Sequence, residues 1–194
     1  MIIKYIFDRI FSLILLVVLS PVLLVVYILH KIKMPKGRFL YRQVRIGKDG
    51  KPFRIFKIRT LADNSEESGS VTTADDKRIL PYGKWLRESK VDTFWELINI
   101  LIGDMSFVGP RPDVPGYADK LEGDDRVILK LRPGLTGPAS IKYRHEGRIL
   151  AQQDDPQRYN DEVIWPDKVK INKEYYENWS VWSDISILWK TIFG

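Results

Sequence analysis

The sequence predicts an α/β chain: an N-terminal re-entrant membrane segment built as helix-break-helix, then a small mixed α/β domain with amphipathic helices suited to an interface. Three observations predict it. A run of twenty residues from Ile10 to Leu29 carries no charge. Two stretches of alternating apolar residues flank a Gly/Asp turn at residues 47–50. A third stretch, residues 84–102, repeats its apolar residues every three or four positions, the period of a helix with one buried face.

The apolar run comes first. At about 1.5 Å per residue it measures roughly 30 Å, enough to cross a bilayer once. It is too long for the apolar part of a secretory leader, and Lys31-Ile32-Lys33 follows it rather than a small-x-small cleavage site. Ser20-Pro21 lies at its midpoint, where proline removes a helix hydrogen bond and crowds the carbonyl four residues back. Both flanks are basic: Lys4 and Arg9 before, Lys31, Lys33, Lys36 and Arg38 after. Basic flanks favour the cytoplasmic face, so a hairpin broken at Ser20 and Pro21 satisfies both ends, each arm dipping roughly 15 Å. The competing arrangement is a single spanning helix kinked at Pro21. On the hairpin reading, residues 1–35 form the membrane segment and residues 36–194 a domain at the cytoplasmic face.

Residues 40–60 read as a β-hairpin whose polar positions are almost all cationic. Lys57 and Arg59 stand two apart, hence on one strand face, which makes them the phosphate-binding candidates here. The spacing of Gly47-Lys48-Asp49-Gly50-Lys51 does not match a nucleotide-binding P-loop. Residues 62–74 are polar and read as a loop, with Glu66 and Glu67 solvated.

The periodic stretch at residues 84–102 is stopped by Gly103. Asp92 lies on this helix with Arg87 and Lys90 close in sequence. Beyond it, Pro110 and Pro112 lock the backbone on either side of Arg111 and limit where its guanidinium points. A carboxylate set among cations on stiff backbone suits a phosphate ester better than a core. Arg132, next to Pro133, repeats the theme, and Lys142, Arg144 and Arg148 extend the basic surface. A C-terminal helix over residues 172–193 is strongly aromatic, with Trp182, Ile185, Trp189, Ile192 and Phe193 on one face. These rings suit either a membrane–water boundary or the domain core.

Composition narrows the chemistry. With no Cys and only His30 and His145, a structural zinc site of the usual ligands is excluded. A net charge of +6 favours anionic partners. Nucleic acid fits poorly, because the cations sit in Pro/Gly turns rather than along an exposed helix with stacking aromatics.

Taken together and in order, these pieces resemble the bacterial sugar transferase family, the small monotopic phosphoglycosyl transferases. The resemblance rests on Ser20-Pro21, Gln43-Val44-Arg45-Ile46-Gly47, residues 53–60, Leu86-Arg87, Asp92 with Asn99, residues 103–112 and residues 131–137. It covers nearly the whole chain. The resemblance implies an enzyme of the bacterial inner membrane, active at its cytoplasmic face. There it would transfer a sugar 1-phosphate from a UDP-sugar to polyprenyl phosphate, the opening membrane step of glycan assembly, with Mg²⁺ required. It implies Asp92 as nucleophile, a covalent phosphosugar intermediate and release of UMP. Lys57, Arg59, Arg87, Arg111, Arg132 and Arg144 would then be substrate-binding, and Asp92 and Asp104 metal ligands.

One position departs from the family pattern. The family places glutamate directly after the aspartate, and here that residue is Thr93. Glu96, four residues after Asp92 and so on the same expected helical face, or Asp104, is expected to supply the missing acid or metal-ligand function. Thr93 would be a minor contributor. The alternative is a catalytically impaired membrane-bound partner of other glycan-assembly enzymes.

Overall fold

The computed structural model describes residues 1–62 and 78–194; apart from Ala62, the loop expected over residues 62–74 lies outside the described residues. The apolar run lies within one long helix, α1 (Ile2–Lys33), uninterrupted at Ser20-Pro21. Pro21 has no N–H to offer the Val17 carbonyl four residues back, and the Ser20 hydroxyl donates to that carbonyl at 2.7 Å instead. The serine thus closes the gap that the proline opens, which is why the expected interruption is not seen.

α1 is long and apolar enough to cross a membrane, yet one stripe of it is docked along the domain. Its buried residues are Lys4, Asp8, Ser12, Leu23, Val26 and His30, near-helical spacing on one face. Near the N-terminus, Lys4 Nζ meets Asp184 at 2.6 Å, Ser106 Oγ donates to Asp8 at 2.6 Å, and Arg9 donates to the Ile102 carbonyl at 3.2 Å. Near the C-terminus, His30 Nε2 lies 3.1 Å from the Arg59 carbonyl oxygen. The opposite face is bare, with Ile3, Ile10, Val17, Leu24 and Ile28 all exposed.

The expected hairpin follows. Strands β1 (Leu40–Ile46) and β2 (Pro52–Ile58) pair antiparallel from Leu40 with Ile58 to Ile46 with Pro52. Their 3-10 turn at Lys48–Gly50 places Asp49 and Gly50 at positive φ, as a Gly/Asp turn allows.

The stretch expected as one helix is two: α2 (Pro81–Glu88) and α3 (Glu96–Ile102). Ser89 Oγ donates back to the Trp85 carbonyl at 2.7 Å and Lys90 turns left-handed at φ 58, ending α2. A 3-10 turn at Val91–Thr93 carries Asp92 before α3 begins. Asp92 and Glu96 are therefore not on one helical face. Gly103, left-handed at φ 96, closes α3 as expected.

Strand β3 (Ser106–Val108) pairs parallel with β4 (Gly134–Thr136), a pairing not foreseen. Residues 123–130 form a 3-10 helix. Then come α4 (Pro138–Lys142), α5 (Glu146–Leu150), α6 (Pro156–Tyr159), a π turn at Asn160–Ile164, α7 (Trp165–Glu177) and α8 (Val181–Phe193). The helix expected over residues 172–193 is split between α7 and α8. Ser180 and Ser183 form a reciprocal capping box that starts α8 afresh.

The main core joins Ile55, Leu97, Ile100, Met105, Phe107, Val108, Leu131, Tyr175 and Ile187, with Leu15, Leu16 and Leu19 of α1 packed against it. On α8, Ile187 faces this core, whereas Trp182, Ile185, Trp189, Ile192 and Phe193 are exposed.

Candidate active site

The site is built where β2, the Asp92 turn and α3 converge. Asn99 of α3 is buried and joins the helix to the strand: its side chain accepts from the Phe56 N–H at 3.0 Å and donates to the Arg54 carbonyl at 2.8 Å. That link sets Glu96, one turn earlier on α3, against Lys57 of β2, their charged atoms 3.2 Å apart. Glu96 is nearly sealed, its side chain 6% exposed against 26% for Lys57. Burial pushes the Glu96 carboxyl above its ordinary value, while Lys57 and Arg111 pull it down and Asp92 adds to the rise.

Asp92 is half-buried, and its Oδ1 is buried without a hydrogen-bond partner. Burial raises its carboxyl too, opposed by Lys57, Arg87 and Lys90. Arg87 is held by its Nε donating to Thr60 Oγ1 at 2.7 Å. Gly83 lets α2 lie against that same Thr60: a Cβ there would stand 2.0 Å from the Thr60 carbonyl oxygen. The site is thus a carboxylate with one free oxygen, faced by three cations on separate elements.

Arg111, whose charge lowers the Glu96 carboxyl, sits on the Pro110-Arg111-Pro112 corner. The corner is clamped on both flanks. Gly134 N–H donates to the Pro110 carbonyl at 2.7 Å and Ile46 N–H to the Asp113 carbonyl at 2.9 Å. Gly109, Gly134 and Gly137 permit this close backbone approach, since a Cβ on any of them would fall within 2.3 Å of a backbone atom. Arg111 itself is exposed. The clamp leaves its guanidinium outside and its backbone fixed.

The other candidates lie elsewhere. The Arg59 guanidinium donates to the carbonyls of Met34, Lys36, Arg38 and Leu61, tying down the link between α1 and β1. Arg132 stacks on the Tyr5 ring of α1, 4.1 Å from its centroid. Arg144 caps the end of α8 through the Lys190 and Gly194 carbonyls. Asp104 follows the left-handed Gly103 that closes α3, whereas Glu96 begins that helix. The Thr93 hydroxyl donates to the Lys90 carbonyl at 2.7 Å.

The complete chain, residues 1–194, matches the family model for bacterial sugar transferases. The chain belongs to the bacterial sugar transferase family. Within it, the chain is 31% identical over its whole length to a protein of Klebsiella pneumoniae named UDP-glucose:undecaprenyl-phosphate glucose-1-phosphate transferase, covering 40% of that protein. It is 32% identical, over 89% of its length and 38% of the relative, to a protein of Aeromonas hydrophila named UDP-N-acetylgalactosamine-undecaprenyl-phosphate N-acetylgalactosaminephosphotransferase. An uncharacterized sugar transferase of Bacillus subtilis is nearer in size, 30% identical with 99% of this chain and 86% of that one aligned. The chain thus spans about two fifths of the length of the first two relatives.

Two further residues belong beside this family member's site. Arg45 of β1 and Asp113, next after the corner, both act on the charges around Arg111. Asp113 is pushed up to about 6 by burial, against the pull of Lys168, Arg111 and Arg45. The signal for Asp113 was its place after Pro-Arg-Pro; Arg45 stood in the Gln43-Val44-Arg45-Ile46-Gly47 segment that carries the resemblance but was not singled out among the cations of the hairpin.

Proposed function

We propose that this chain transfers a sugar 1-phosphate from a UDP-sugar to polyprenyl phosphate, with Asp92 as the nucleophile. The observation that carries the proposal is the Asp92 carboxylate, one oxygen unpartnered and ringed by Lys57, Arg87 and Lys90. Relatives named for transfer from UDP-sugars to undecaprenyl phosphate support the substrate class. They are named for different sugars at nearly equal identity, so the similarity does not select one.

In the first step an Asp92 oxygen attacks the β-phosphorus of the donor. An aspartyl O–P bond forms, and the bond from that phosphorus to the bridging oxygen breaks, its electron pair leaving with UMP. In the second step a polyprenyl phosphate oxygen attacks the same phosphorus and the Asp92 carboxylate departs as it began. Two large substrates thereby use one site in turn. Lys57, Arg87 and Lys90 oppose the rise that burial imposes on the Asp92 carboxyl and, with Arg111, offset charge on the phosphoryl oxygens.

A divalent cation fits this donor set. The free Asp92 oxygen and Glu96 supply two carboxylates, and Mg²⁺ is commonly bound by one or two carboxylates plus substrate phosphates. Bound there, it would neutralise charge developing on the phosphates. Asp104 lies beyond the other end of α3, past Gly103, and is not assigned to this set. With the Thr93 hydroxyl engaged by backbone, Glu96 takes the place of the missing glutamate.

Membrane attachment is monotopic. Both ends of α1 dock on the same domain, through Lys4 with Asp184 and His30 with the Arg59 carbonyl, so α1 enters and leaves lipid through one face. Its bare apolar side and the exposed rings of α8 then meet the bilayer. The basic flanks favour the cytoplasmic side for that face, which supports an inner-membrane location.

The test is incubation of purified protein with a panel of UDP-sugars and undecaprenyl phosphate, following UMP. Label from the donor's β-phosphate should be trapped on Asp92 and lost in Asp92→Asn. No UMP from any donor would point instead to a catalytically impaired partner of other glycan-assembly enzymes.

A further inference from the structure

We infer that Arg45 is a further donor-binding residue, its free Nε–H taking an oxygen of the donor diphosphate alongside Arg111. This deepens the transferase reading and rests on it.

Arg45 is the last residue but one of β1, half-buried beside the Pro110-Arg111-Pro112 corner. Two of its three nitrogens are held. Nη2 donates to Gln43 Oε1 at 2.5 Å, and Nη1 reaches the Pro112 carbonyl at 3.4 Å. A guanidinium is planar, so holding both terminal nitrogens also fixes the direction of the third N–H. That third group, Nε–H, is buried and has no partner. An unpartnered buried donor on a charged group is costly and asks for an explanation.

The surroundings supply one. Arg111 stands close enough to disfavour the charge on Arg45, adding to the effect of burial. Two guanidiniums brought together in a partly dry place repel unless an anion lies between them. Asp113 is a single carboxylate serving Arg45, Arg111 and Lys168 at once, and Lys168 has its own partner in Glu146 at 2.7 Å. Among the described residues, the cations Lys57, Lys90, Arg45 and Arg111 outnumber the carboxylates Asp92, Glu96 and Asp113 around the site. A sugar nucleotide's diphosphate brings charge of the opposite sign. A diphosphate has oxygens enough to address both guanidiniums.

The experiment measures binding of UDP to the full chain by calorimetry, together with KM for UDP-sugar and for undecaprenyl phosphate and the Tm. It compares wild type with Arg45→Lys and Arg45→Gln. Arg45→Lys keeps the charge and a reach toward the Pro112 carbonyl but loses the fixed Nε–H. The expected result is UDP binding weakened about 10- to 100-fold and donor KM raised in step, the loss of one charge-assisted hydrogen bond. Acceptor KM and Tm should stay near wild type in Arg45→Lys. Unchanged UDP affinity in Arg45→Lys would overturn the assignment while leaving the transferase reading intact. A fall in Tm with both KM values rising equally would also overturn it, showing Arg45 to be only a clamp on the corner. Wild-type protein that neither binds UDP nor releases UMP would overturn both.

Discussion

Lys57 and Glu96 should respond unequally to being separated. Their charged atoms are 3.2 Å apart, but Glu96 is 6% exposed and Lys57 26%. Lys57→Met strands a carboxylate away from water, and breaking a buried pair from one side costs about 3–5 kcal/mol. Glu96→Gln strands an ammonium that retains a path to solvent, so its cost should be nearer 1 kcal/mol, the scale of exposed pairs. For a domain of this size 1 kcal/mol moves Tm by about 2–4 °C, so thermal unfolding in detergent separates the two variants readily. The catalytic consequence is also asymmetric. Lys57 is the largest of the cations lowering the Asp92 carboxyl, so Lys57→Met should move the acid limb of the UMP-release profile to higher pH. Asp92 and Glu96 raise one another as like charges, so Glu96→Gln should move that limb lower or leave it in place. Equal losses of Tm in the two variants, or an acid limb unmoved in Lys57→Met, would refute this account of the pair.

Arg59→Gln should lower Tm by several degrees, because carbonyls of Met34, Lys36, Arg38 and Leu61 lose their donor, yet leave donor KM unchanged. Asp113 is raised from 3.8 to about 6 in the folded state, so its protonation stabilises the fold at low pH and that contribution is lost as pH rises through about 6. Two units correspond to about 3 kcal/mol; the fall in Tm between pH 4 and pH 7 should therefore shrink in Asp113→Asn, and an unchanged pH dependence would count against the burial of that carboxyl. Gly83→Ala should destabilise by about 1–3 kcal/mol in thermal unfolding, since its Cβ would meet the Thr60 carbonyl oxygen at 2.0 Å.

The elements most legible from the residues were those with an unambiguous period or stop. The hairpin showed in its alternation and Gly/Asp turn, and Gly103 marked the end of α3. The division between α2 and α3 did not show, because the apolar period runs on past Ser89 and Lys90; only a left-handed lysine, unusual for that residue type, breaks the helix. β3 and β4 have three residues each, too few for any period to register. The cations of the site were legible as a class and not as individuals. Lys57, Arg87 and Arg111 look no different in sequence from Arg59, Arg132 and Arg144. What separates them is tertiary: the second group finds carbonyls or an aromatic ring within reach, although Arg132 keeps a buried Nη1 without a partner. Lys4 read only as the basic flank of a membrane segment, and Asp8 drew no reading, because their partners Asp184 and Ser106 lie far along the chain.

The double docking of α1 also sets an elevation. A domain joined to its lipid-embedded helix by a single tether could bob and tilt, and its reactive carboxylate would sample many heights above the headgroups. Here the helix is fastened near both extremities, so whatever depth it settles to in the leaflet is transmitted rigidly to Asp92. If the proposed transfer holds, a long-chain phosphate diffusing in the plane of the membrane would meet its target at one level.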